Sequence, residues 1–102
     1  MTLPVVTQLT SKTTAVTFNY KSGTINTVAL TDAADTSFNF VVNNDLFYPD
    51  SNVTLTAVYA GTTGVPNVSI VSRGAFTFTV KVANVGVAVF NAAVGINVVI
   101  NN

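Results

Sequence analysis

Apolar and polar side chains alternate at every second position along most of the chain, the period of a strand with one face buried and one wet. Over residues 75–82, Phe76, Phe78, Val80 and Val82 share one face, and Thr77, Thr79 and Lys81 take the other. The same phase sets Val16, Phe18 and Tyr20 against Thr17 and Asn19, and Phe38, Phe40 and Val42 against Ser37 and Asn39. It also sets Val53, Leu55, Ala57 and Tyr59 against Thr54 and Thr56. Three further strands are expected at 25–30, 65–71 and 94–100, the last presenting Val94, Ile96, Val98 and Ile100 opposite Asn97. Turn formers separate these segments: Ser22-Gly23, 31–35, 43–50 with Pro49, 61–64, and Arg73-Gly74.

No segment carries a helical period. Seven to eight short strands at this spacing predict an all-β fold, an antiparallel β-sandwich of Ig-like or jelly-roll-like type over residues 13–102. Its expected core is Val16, Phe18, Phe38, Phe40, Leu55, Phe76, Phe78, Val80, Ile96 and Val98. Residues 1–12 precede the alternation and are read as an N-terminal arm or edge strand. Leu3, Val5, Val6 and Leu9 make this segment apolar and Lys12 is its one cation, so it is expected to reach a neighbouring molecule by adding a strand. The first ten residues have neither the basic start nor the apolar run of a signal peptide. The stretch 82–100 is apolar, but Asn84, Asn91, Asn97, Gly86 and Gly95 interrupt it, which suits strands better than a membrane helix.

Composition narrows the function. The 102 residues suffice for one domain. Charged residues are 8% of the chain, where about 25% is usual. Four Asp balance three Lys and one Arg, and there is no Glu, His or Cys. Nucleic acid binding needs a basic face that four cations offset by four anions cannot build. The polar surface is instead hydroxyl and amide, since Thr, Asn and Ser fill 34 positions. A surface so poor in charge is weakly protected against self-association, which points to a component of an assembly.

Catalytic chemistry is nearly absent, and no enzyme activity, cofactor or metal is expected. Asp35-Thr36-Ser37 lacks the Gly of the half-sized aspartic proteases and fits a turn. Asp32 with Asp35, and Asp45 with Asp50, fall short of the oxygen count and spacing of a calcium loop. The sequons at Asn52 and Asn67 occur at the frequency chance predicts, and the Thr-x-Thr pairs at Thr54 and Thr77 belong to no repeated ladder. Tyr20, Phe47, Tyr48 and Tyr59 are candidates for a sugar-binding platform. Phe47 and Tyr48, beside Pro49, break the alternation in an expected loop and are candidate partner contacts, with a plug for the sandwich end as the competing role.

The run Ser22-Gly23-Thr24-Ile25-Asn26-Thr27-Val28-Ala29-Leu30-Thr31, followed by Phe38-Asn39-Phe40-Val41-Val42-Asn43-Asn44 and Asp50-Ser51-Asn52-Val53, resembles a β-sandwich module of tailed-bacteriophage virion proteins. Gly74-Ala75-Phe76-Thr77-Phe78-Thr79-Val80, Asn84 and Phe90-Asn91-Ala92-Ala93-Val94 continue the resemblance over about residues 20–101, with Ala93 where Gly is common in that group. The resemblance implies a virion structural protein on the capsid surface, a decoration or cement subunit that binds the major capsid protein or neighbouring subunits. It also implies a homo-oligomer, with a trimer favoured. A tail or fibre component and a carbohydrate-binding module are the alternatives.

Overall fold

The computed structural model describes residues 4–101, and in them eight strands and no helix. The strands are β1 Val5–Thr7, β2 Val16–Thr17, β3 Ser22–Asn26, β4 Ser37–Asn43, β5 Asn52–Tyr59, β6 Pro66–Gly74, β7 Thr77–Asn84 and β8 Val94–Asn101. They form two four-stranded sheets, ordered β1-β3-β8-β5 and β2-β4-β7-β6.

The path of the chain explains this order. From β1 to β6 each connection crosses to the other sheet and reverses direction, so sheet neighbours two strands apart run the same way. Hence β1 pairs with β3, and β2 with β4, in parallel, the intervening strand serving as the crossover that parallel pairing needs. This zigzag leaves a slot in each sheet. A tight hairpin turns β6 into β7, which fills the slot between β4 and β6, and β8 fills the one between β3 and β5, both antiparallel to their neighbours. The sheets are therefore mixed, where the alternation alone suggested a wholly antiparallel sandwich. The last strand is central in its sheet, unlike the edge position of the final immunoglobulin strand, and the nesting of β3–β8 around β4–β7 is jelly-roll-like.

The core lies between the sheets. Phe18, Phe38, Phe40, Phe78, Val80, Val82, Val94, Ile96 and Val98 are buried in the phase expected of them. Leu55, expected in the core, is half-buried with Val53, Ala57 and Tyr59, because β5 is an edge strand and the sandwich is open along its β5/β6 side. Phe76, also expected in the core, is 49% exposed. The β6–β7 ladder ends at the Gly74–Thr77 pair, so Ala75 and Phe76 form the two-residue turn and the inward phase begins at Phe78.

Residues 4–12 pack on their own domain, as an edge strand with its following loop and not as a free arm. Pro4 O accepts the Thr24 amide at 2.9 Å, and Gln8 N donates to Asn26 O at 2.7 Å. The buried Gln8 side chain donates to the carbonyls of Lys12 and Thr14, and the Lys12 ammonium meets the Asp32 carboxylate at 2.8 Å. Close approach of the strand depends on Gly23: a Cβ there would come within 2.5 Å of Pro4 O.

Candidate functional site

Three features of the surface stand out. The first is the end of the sandwich formed by the β4–β5 loop and the β6–β7 turn. Asn44 is buried and anchors the loop, its side chain donating to Tyr20 O at 2.9 Å and accepting the Leu46 amide at 2.8 Å. This drives Phe47 into the core against Phe78, ring centroids 4.8 Å apart, with the Arg73 guanidinium above the Phe47 ring and bonded to Ser51 O. Tyr48 and Ser51 clasp each other by reciprocal bonds, Tyr48 N to Ser51 Oγ at 3.0 Å and Ser51 N to Tyr48 O at 2.9 Å. Tyr48 is thereby held outward, 49% exposed, with its ring 5.9 Å from that of Phe76. Phe76 has a left-handed backbone, φ 64°, which bulky residues rarely adopt. The result is a pair of neighbouring, half-exposed aromatic rings at the tip of the molecule.

The second feature is the outer face of the sheet β1-β3-β8-β5. Its four strands contain no charged residue. Across the face run the rows Val5-Thr24-Asn97-Thr56 and Thr7-Asn26-Gly95-Val58, with Val99 between Ser22 and Thr54. Thr24 Oγ1 donates to Asn97 Oδ1 at 2.9 Å, so part of the polar capacity is spent within the row. Val5, Val58 and Val99 are exposed among the hydroxyls and amides. In the other sheet, Arg73 and Lys81 are the charged residues within strands.

The third feature is the open β5/β6 side, a shallow cleft of about 250 Å³ lined by Val53, Leu55, Val68, Ser69, Ile70 and Arg73.

The residues singled out in the sequence are distributed over this surface unevenly. Tyr48, Val5 and Leu9 are exposed as partner contacts must be, whereas Val6 is half-buried against the core and Leu3 lies outside the described residues. Phe47 is fully buried and offers nothing to a partner; it is the plug of the sandwich end. No common sugar platform unites the aromatic candidates. Tyr59 lies at the far end of β5 from the Tyr48 loop, its hydroxyl donating to Thr63 O at 2.6 Å, and Tyr20 packs edge-on to Phe18. Asp35 stands exposed in a left-handed turn beside a cleft of about 240 Å³ shared with Thr36, Ser37 and Lys81, with no second carboxylate among the residues lining it. Sequence reasoning missed Phe76 because its phase matched the strand that follows; the signal lay in Arg73-Gly74, where a tight turn can displace the phase.

Comparison with protein-family models, with curated proteins and with solved structures found no match in any of the three.

Proposed function

We propose that this chain is a structural subunit of a tailed-bacteriophage virion, a decoration protein that binds the outside of the capsid through uncharged contacts. The observation that carries the reading is the charge-free outer face of the β1-β3-β8-β5 sheet, where Val5, Val58 and Val99 sit among Thr and Asn. A face of this kind gains little from long-range attraction. It suits a closely fitted partner that buries apolar area and satisfies the hydroxyl and amide groups by short hydrogen bonds. Tyr48 and Phe76 supply what aromatic anchors supply at interfaces: large area on side chains with few rotatable bonds, here side by side. The resemblance of residues 20–101 to virion modules names the assembly, and the partner it favours is the major capsid protein or a neighbouring virion subunit.

Immunogold labelling and peptide mass spectrometry of purified particles test the proposal. Label spread over the capsid in fixed ratio to its subunits is the expected result. Label confined to the tail would assign the chain to a tail or fibre, and particles without it would overturn the reading. A carbohydrate-binding module is the second reading, favoured by the exposed Tyr48–Phe76 pair. The two rings meet at 57° and so do not lie in one plane.

A further inference from the structure

We infer that strand β5 pairs with β5 of a second copy, antiparallel about a two-fold axis, to join two β1-β3-β8-β5 sheets into one. This goes beyond the proposed function and holds whether or not the chain belongs to a virion.

The inference rests on how the sheet edges are protected. Of the four edge strands among the described residues, β1 has three residues and β2 has two, too short to template another chain. Strand β6 begins at Pro66, carries Arg73 near its end, and is broken by a register shift between Ile70 and Ser72. Each of these devices blunts an edge. Strand β5 has none of them. It is eight residues long, about 27 Å of unbroken ladder, with no Pro, no charge and no shift in its pairing to β8. Its inward residues Val53, Leu55 and Ala57 remain half-buried, so burial beside β5 is incomplete in the single chain.

A second copy satisfies this edge by symmetry. When a strand pairs antiparallel with itself, inward residues must meet inward residues, so the two residue numbers in every pair add to one even sum. The register centred on Thr56 faces Thr56 with its own symmetry mate, Leu55 with Ala57, Thr54 with Val58, and Val53 with Tyr59. On the inward face, Leu55 meets the small Ala57 and Val53 meets the Tyr59 ring. No charge opposes a like charge, because the strand has none. The half-open clefts of the two copies then adjoin and cover each other.

The purified full-length chain tests this directly, and its lack of cysteine makes single-cysteine variants clean probes. Opposed residues in an antiparallel pair have Cα atoms about 4.5–5.5 Å apart, within disulfide range. Oxidation of Thr56→Cys should give a covalent dimer of twice 10.6 kDa at least about tenfold faster than Asn39→Cys, which is exposed on the other sheet. Leu55→Cys covers the neighbouring register, in which Leu55 meets itself. Thr56→Lys, which sets two ammonium groups face to face, should convert a wild-type dimer to a folded monomer in analytical ultracentrifugation, with the wild-type far-ultraviolet circular dichroism and a thermal midpoint that, unlike that of the wild type, does not rise with protein concentration. A wild-type monomer at about 100 μM, a trimer of the kind the sequence resemblance implies, or cross-linking of Thr56→Cys and Leu55→Cys no faster than Asn39→Cys would each overturn the pairing.

Discussion

The carbonyl of Phe76 accepts the amide of Asn44 at 2.9 Å, and that bond, with the Phe76 amide donating to Phe47 O at 3.2 Å, holds Phe76 in its left-handed conformation. The strain in the turn is thus maintained by the loop beside it. The same contact keeps the Phe76 ring against Tyr48 at the tip.

A comparison of two substitutions isolates that strain. Phe76→Ala loses the ring and keeps the unfavourable φ, whereas Phe76→Gly loses both. Glycine should therefore be the more stable variant, by about 1 kcal/mol in urea unfolding, the reverse of the usual order of these residues. Alanine equal to or above glycine would show that the backbone at Phe76 is relaxed.

Phe78→Ala should cost about 3 to 5 kcal/mol, since the ring is fully buried and packed on Phe47. Leu55→Ala should cost only about 1 kcal/mol, because the open β5/β6 side leaves that residue partly in water. Equal losses for the two in the monomeric chain would mean that β5 is as well covered as the sheet centre.

Asn84 ties the β7–β8 connection together with all of its amide capacity. Its Nδ2 donates to Asp32 O at 3.1 Å and Ala88 O at 2.8 Å, while its Oδ1 accepts the amides of Val65 and Gly86. Asn84→Asp keeps the shape but turns a carboxylate oxygen toward two carbonyls in a buried site. A loss of about 3 kcal/mol at neutral pH is expected from chemical denaturation.

Gly23→Ala should detach β1, since the new methyl would collide with Pro4 O at a position with φ +154°. Hydrogen exchange would then show the Thr24 amide, which bonds Pro4 O, losing protection while the Phe78 region keeps it. Unchanged protection of Thr24 would mean that the strand is held by other contacts.

Alternation revealed the strands and their inward faces because a half-buried strand has no other way to separate core from water, and Phe38, Phe40, Val80 and Val98 follow it directly. What it could not reveal was pairing. The parallel partners of β1 and β2 arise from the crossing path of the whole chain, and a three-residue strand leaves almost no periodic trace. Phe47 and Phe76 exchanged roles for a related reason: burial in loops follows from anchors such as the Asn44 amide, not from phase. The charge-free face was legible as a composition, but its placement on one sheet needed the strand order.

The central claim, attachment through uncharged surfaces, is tested most directly by the salt dependence of binding to the native particle. At about 1 M salt the Debye length is near 3 Å, and attraction between exposed charges is largely screened. Particles sedimented after such a wash should retain this protein at the same ratio to capsid subunits as particles washed at low salt. Release at high salt with rebinding on dilution would show that the few charged residues carry the attachment, and would contradict the account.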